Sequence, residues 1–291
     1  MRILSIQSSV AYGHVGNSAA TFPLQRLGHV VWPVNTVHFS NHTGYGQWRG
    51  PVVDPADVRE VIAGIADRGV LGTVDAVLTG YQGSPGVAEV VLDTVARVRE
   101  LNPHVVFCCD PVLGDVGRGF FVQEGIPALM RERMVPAADI VTPNLFELAY
   151  LAGESADIES APADVSNLDA VLTAVERLRD MGPRTVLVTS VDQPPRTGVA
   201  EIGMLAVDDS GAYQVSTPQL SISVNGLGDV TAALFLAQLS AGIEEALGRV
   251  ASSVFAIGKA TLDAGSREIQ LVDAQQQIAH PAGEFEVTKI G

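Results

Sequence analysis

The sequence predicts one α/β domain over residues 1–291, with a mostly parallel central sheet and helices on both faces. Three observations predict it. Apolar runs of strand length alternate with amphipathic stretches of helical length, the pattern of βαβ units. The chain is 291 residues long and 47% hydrophobic, enough for one large core. Pro and Gly are spread along it rather than pooled, so no linker divides it, and no internal repeat appears.

The elements follow in order. RILSI (2–6) alternates apolar and polar residues, and Gln7-Ser8-Ser9 follows it. HVVWPV (29–34) is the second strand. The stretch after it, FSNHTGYGQW (39–48), mixes aromatics, small polar groups and glycines without any period. That composition suits a small flap, around 36–50, over a planar ligand, or a surface loop. Residues 55–68 read as a helix, DAVLTG (75–80) as the third strand and 86–101 as the next helix. HVVFCCD (104–110) is a buried strand leading into Asp110-Pro111-Val112-Leu113-Gly114-Asp115, and a lid loop is expected around 115–124. DIVTP (139–143) leads into Asn144-Leu145-Phe146-Glu147. Helix 166–181, strand TVLVTS (185–190), strand IGMLAV (202–207) and helices 229–241 and 244–263 complete the pattern. In such sheets ligands sit beyond the carboxyl ends of the strands, and the polar residues collect there.

Composition excludes several classes. A formal net charge of -15 argues against nucleic acid, whose binding needs basic patches. The start, MRILSIQSSV, lacks the apolar core of a secretion signal, and no window approaches the apolar length of a membrane span. Cys108 and Cys109 are adjacent, which makes neither a disulfide framework nor a metal cluster and suits a reducing cytoplasm. The lysines are Lys259 and Lys289 alone. Gly258-Lys259 runs into Ala260, so the phosphate loop with a Gly-Lys-Ser/Thr end is absent. A nucleotide here must be held another way.

Four motifs carry chemistry, and each has a plainer reading. Asn225-Gly226-Leu227-Gly228-Asp229 breaks an apolar run just before a helix. Helix-start amides bind anions, glycines allow close approach, and Asp229 is placed to accept a proton. The plainer reading is a glycine turn with an Asp at the favourable end of a helix dipole. Asn144 and Glu147 stand at capping-box spacing, which explains both without function; alternatively Glu147 organises Mg²⁺ through water. Asp110 is a turn former or a Mg²⁺ carboxylate. Arg118, between Gly117 and Gly119, is a solvated side chain or a phosphate contact. His14, His38 and His42 singly read as structural.

In this order along the chain, the stretches IQSSVAYGHVGNSAATFPLQRLGH, VNTVHFSNHTGYGQWRG, LTGYQGS, CDPVLGD, ADIVTPNLFE, MGPRTVLVTS and NGLGDVTAALFLA resemble the pyridoxal kinase family of the ribokinase-like superfamily. The resemblance runs from residue 1 to about residue 290. It implies a single ribokinase-like domain and ATP-dependent phosphorylation of the 5′-hydroxymethyl group of pyridoxal, with pyridoxine and pyridoxamine as further substrates. It implies Mg²⁺, in many members with K⁺, and a homodimer. By motif position it makes Asp229 the base, and Gly226, Leu227 and Gly228 the amides for the transferring phosphoryl group. Ser8, Thr43 and Tyr81 become pyridoxal contacts, with Val15 and His42 nearby. Asp110, Asn144 and Glu147 become the Mg²⁺–phosphate group. Thr142, Thr189 and Ser190 become ATP contacts, with Pro218 to Ser221 at the nucleotide.

The chain departs from the family pattern at Ser9, where His is common, and at Leu227, where Thr or Val is commoner. It also departs at Thr189, where some members have Lys, and at Phe120-Phe121, where a Tyr is sometimes found. Hydroxymethylpyrimidine kinases of thiamine synthesis are the first competing class; they typically carry Cys at the Asp229 position and lack this flap. A non-catalytic carrier of pyridoxal phosphate is the second, and it has no need of Asp229 beside an anion hole.

Overall fold

The computed structural model describes residues 1–154, 162–193 and 200–290. In chain order the elements are β1 (Arg2–Val10), α1 (Asn17–Arg26), β2 (Val30–Phe39), α2 (Pro55–Asp67), β3 (Ala76–Thr79), α3 (Pro85–Leu101) and β4 (Val106–Cys109). A small hairpin, β5 (Gly114–Asp115) and β6 (Gly119–Phe120), comes next. After it run α4 (Ile126–Leu129), a widened turn over Met130–Met134, α5 (Val135–Ala137), β7 (Ile140–Val141), α6 (Leu145–Leu151) and α7 (Leu168–Asp180). The chain ends with β8 (Thr185–Gln193), β9 (Glu201–Asp208), β10 (Gly211–Pro218), α8 (Leu227–Gln238), α9 (Ile243–Asp263), α10 (Gln275–Ala279) and β11 (Val287–Lys289).

Nine strands form one sheet in the order β11-β10-β9-β8-β7-β4-β3-β1-β2. From β2 to β8 every pairing is parallel, and β8, β9, β10 and β11 pair antiparallel. The mostly parallel expectation therefore holds. Strand order reverses at β1, which lies between β2 and β3, and such a switch point is where α/β sheets open a crevice.

Alternation along the strands divides the core in two. Leu4, Ile6, Val77, Phe107, Cys109, Val141, Val186 and Val188 face α2, α3, α6 and α7. Their neighbours Ile3, Ala76, Leu78, Cys108, Ile140 and Leu187 face α1, α8, α9 and α10. Both faces of these strands are buried, which is why they read as continuous apolar runs. α8 is buried over every residue from Val230 to Ala237 because it packs between α1 and α9.

Several boundaries differ from the sequence reading. β1 and β2 continue to Val10 and Phe39, beyond the expected 6 and 34, so the first part of the flap region is strand; Val37 also pairs with Val52 across it. α1 was not expected: Pro23 lies inside it, and Asn17 and Ala19 are buried against the sheet. β10 and β11 were also missed. The lid region expected at 115–124 contains the β5–β6 turn.

Candidate active site

The carboxyl ends of β1, β3, β4, β7 and β8 open onto one cleft of about 450 Å³, whose wall is completed by the start of α8. Of the site residues read from the sequence, all but Ser221, which is exposed, line it. Ser8, Val15, His42, Thr43 and Tyr81 stand with Asp110, Thr142, Asn144, Glu147, Thr189 and Ser190, and with Gly226, Leu227, Gly228 and Asp229. Pro218, Gln219, Leu220 and Arg118 line it too.

The start of α8 is set by Gly226, whose φ of 96° belongs to the left-handed region. A Cβ there would lie 1.9 Å from the His14 carbonyl oxygen, so no side chain fits. The first bond of the helix runs from Val230 N–H to Gly226 C=O, which leaves the amides of Leu227 and Gly228 free at the cleft. Gly228 has open space where its Cβ would stand. Asp229, half-buried in the first turn, has its pKa pushed up to about 6 by burial; the Gly16 amide and its own amide oppose the rise. Gly16 is the cap of α1, at φ 53°, with Ser8 where its Cβ would be. Two helix starts thus meet at one carboxylate.

Two further carboxylates are buried beside it. Asp110 follows β4; burial first, then the charge of Asp229, pushes its pKa up to about 8, against the hydrogen bond it accepts from Thr142 Oγ1 at 2.8 Å. Glu147 completes a full capping box with Asn144: each accepts the other's backbone N–H at 2.9 Å. Its Oε1 also accepts Leu113 N–H at 2.9 Å, tying the loop after β4 to α6, and Asn144 Nδ2 donates to Gly114 C=O. Burial and the nearby Asp110 push Glu147 well above the usual carboxylate range, against three backbone amides. The capping reading of this motif is therefore real, and it coexists with a place on the cleft wall.

A bulge in β8 aims Thr189 and Ser190 into the cleft. The β8–β9 register shifts between Val188 and Val191, and Ser190 has φ 59°, the one positive value at a non-glycine residue among those described. Thr189 N–H donates to Pro143 C=O. Apolar groups enter the cleft from several parts of the chain. Val10, Val37 and Phe39 cluster with Val15 and Tyr81. Leu220, Ile222, Val224, Val254 and Phe255 add a second apolar patch.

The departures find their places. Ser9 turns to Ser18 Oγ at 3.2 Å, while Ser8 lines the cleft. Phe120 packs edge-on against Phe146 and Tyr150, anchoring the hairpin, and Arg118 lies over Phe121. Sequence reasoning missed Glu268, a buried carboxylate that accepts from His42 and Tyr45. A lone Glu after a helix carries no local pattern that would mark it.

Free amides at a helix start beside a carboxylate with a raised pKa suit the charge stabilisation that phosphoryl transfer needs. Fold and cleft together define a small-molecule kinase of the ribokinase-like class. A family model described as phosphomethylpyrimidine kinase matches residues 43–262. The chain is 57% identical over 292 residues to pyridoxal kinase PdxY of Rubrobacter xylanophilus, covering 100% of this chain and 98% of that one. It is 54% identical to pyridoxal kinase PdxY of Leifsonia xyli, covering 100% of both. The solved pyridoxal kinase of Leishmania donovani, in complex with ADP and pyridoxine, superposes with a TM-score of 0.89 at 31% identity, covering 100% of this chain and 99% of that one. The chain belongs to the pyridoxal kinase family.

Proposed function

We propose that this chain transfers the γ-phosphoryl group of ATP to the 5′-hydroxymethyl group of pyridoxal, giving pyridoxal 5′-phosphate. The observation that carries this reading is the meeting of the free α8 amides and Asp229 on a cleft with an apolar ring slot. Asp229 accepts the hydroxyl proton. The amides of Leu227 and Gly228 stabilise the charge on the transferring group. The ring lies against Val10, Val37, Phe39 and Tyr81, with Ser8, Thr43 and His42 for its polar edge. Thr142, Asn144, Thr189 and Ser190 contact the nucleotide, whose base takes the apolar wall of Leu220, Val254 and Phe255.

The residues also fit Mg²⁺. Asp110, Glu147 and Asp229 share a cleft, and Asp110 and Glu147 are buried and driven towards their neutral forms by burial, with the charge of Asp229 acting on Asp110 and that of Asp110 acting on Glu147. Mg²⁺ takes one or two carboxylates with phosphates and water, and its charge relieves that strain. Asp110 and Glu147 are the residues to hold it, and it would supply neutralisation of the phosphate charge. Dependence on K⁺ is tested by replacing it with Na⁺. Assembly as a homodimer of single-domain chains is supported by the family resemblance, and sedimentation tests it. Two adjacent buried thiols support a reducing, cytoplasmic setting. Among the described residues no helix is long and apolar enough to cross a membrane.

The phosphomethylpyrimidine kinase model match favours one second reading, phosphorylation of hydroxymethylpyrimidine. One assay separates the two: ATP-dependent formation of pyridoxal 5′-phosphate followed by absorbance, with hydroxymethylpyrimidine in parallel. Turnover of pyridoxal supports the proposal. Turnover of the pyrimidine alone moves the chain to the second reading, and turnover of neither overturns both.

A further inference from the structure

Glu268 lies between α9 and α10, 226 residues from His42, and belongs to none of the motifs above. It is buried. Its Oε1 accepts the Tyr45 hydroxyl at 2.7 Å and His42 Nε2 at 3.1 Å, and its Oε2 accepts the His14 backbone N–H at 3.3 Å. It also pairs through its backbone with Asn225, the residue before Gly226. One residue therefore joins the loop after β2 and the loop between β1 and α1 through its side chain, and the strip that starts α8 through its backbone.

The chemistry of those bonds is directional. An ionised carboxylate only accepts, so Tyr45 donates its hydroxyl proton and His42 carries its proton on Nε2. His42 Nδ1 is left buried without a hydrogen-bond partner, in a ring that lines the cleft. The Arg267 guanidinium lies 4.3 Å from the centre of the Tyr45 ring, over its face. We propose that Glu268 is a positioning residue for substrate recognition. It holds the His42 ring and the Tyr45 hydroxyl so that the flap presents a fixed wall to pyridoxal. This rests on the pyridoxal kinase reading above.

A purely structural anchor gives a different result from a positioning residue, because it loosens both ligand sites together. The test measures equilibrium binding of pyridoxal and of ATP separately to the full-length protein and to E268Q, H42N, Y45F and the E268Q/H42N double variant. In E268Q, pyridoxal Kd rises roughly 10- to 100-fold, the range for a lost hydrogen bond to a charged group, while ATP Kd holds. The double variant binds pyridoxal no more weakly than the weaker single one, since both changes remove one arrangement. An unchanged pyridoxal Kd, equal rises for both ligands, or effects that multiply in the double variant overturn the proposal. If E268Q does not fold by circular dichroism, Y45F carries the test, with roughly 3- to 10-fold weaker pyridoxal binding expected and unchanged binding fatal. Wild-type protein that binds pyridoxal but never phosphorylates it overturns the kinase reading and leaves Glu268 standing. Wild-type protein that binds no pyridoxal overturns both.

Discussion

Thr142 Oγ1 donates to Asp110 Oδ1 at 2.8 Å, and among the described residues it is the one hydrogen bond that this carboxylate receives. Thr142 follows β7, the strand beside β4, so neighbouring strand ends supply the pair. The bond favours the ionised form, but burial and the charge of Asp229 outweigh it and leave the pKa at about 8. Asp110 is thus stable when neutral, or when ionised beside a cation.

That imbalance makes stability depend on pH in a defined direction. The folded-state pKa of Asp110 is raised from 3.8 to about 8, so the folded form binds more protons than the unfolded chain between those values. Its contribution to stability is full below 3.8 and is lost as pH rises towards 8. Without nucleotide or Mg²⁺, the melting temperature of the wild type, relative to Asp110→Asn, is expected to fall by roughly 3 °C or more between pH 5 and pH 8. Calorimetry across that range checks it, and a difference that stays flat contradicts the assignment.

The sheet and the cleft were legible because both depend on local order in the sequence. Strands buried on two faces must be apolar runs, and the polar residues that follow them must sit at one edge, so Asp110, Asn144 and Gly226 could be placed before any coordinates. α1 was not legible because Pro23 and an uneven apolar pattern hide a helix that tertiary packing stabilises. The length of β1 and β2 was hidden by Ser8, Ser9 and Asn35, whose polarity signals a loop although they pair in register or line the cleft. Glu268 was out of reach for another reason: its partners His42, Tyr45 and His14 are remote in sequence, and one carboxylate has no periodicity.

Glu147 serves two structures at once, and its substitution separates them. In Glu147→Gln one carboxylate oxygen becomes an NH₂ group that faces the N–H of either Leu113 or Asn144. A buried donor without an acceptor costs about 1–3 kcal/mol, so the melting temperature falls. If Glu147 also helps hold Mg²⁺, the Mg²⁺ concentration for half-maximal activity rises as well. A lower melting temperature with an unmoved Mg²⁺ titration limits Glu147 to its capping role.

Gly226→Ala probes the turn that opens α8. The left-handed conformation costs a non-glycine residue about 1–2 kcal/mol. Its Cβ would also lie 1.9 Å from the His14 carbonyl oxygen, and backbone must move to relieve that contact. The variant is expected to melt lower and to lose turnover, because the Leu227 and Gly228 amides shift with the turn. Gly228→Ala, where nothing stands in the way of a Cβ within the protein, is expected to keep its melting temperature and lose activity by blocking the cleft. Equal melting temperatures for the two variants contradict this account of Gly226.

Asp229 carries the sharpest prediction, because two independent measurements converge on it. Burial raises its pKa from 3.8 to about 6, and only the ionised form accepts a proton. Activity is therefore lost as pH falls through about 6, with a slope of one proton, and it is retained above that value. Bound Mg²⁺ lowers the apparent value by favouring the carboxylate, so kcat/KM measured at subsaturating MgATP is the quantity to follow. Asp229→Asn keeps the shape of the first turn and removes the base, so kcat falls roughly 10²- to 10⁴-fold. Pyridoxal binding is expected to change far less, since the proposed ring slot is the apolar cluster of Val10, Val37, Phe39 and Tyr81. The residual activity of Asp229→Asn should also lose its acid limb near pH 6. Near-normal turnover, or an acid limb that survives the substitution, assigns the base to another group.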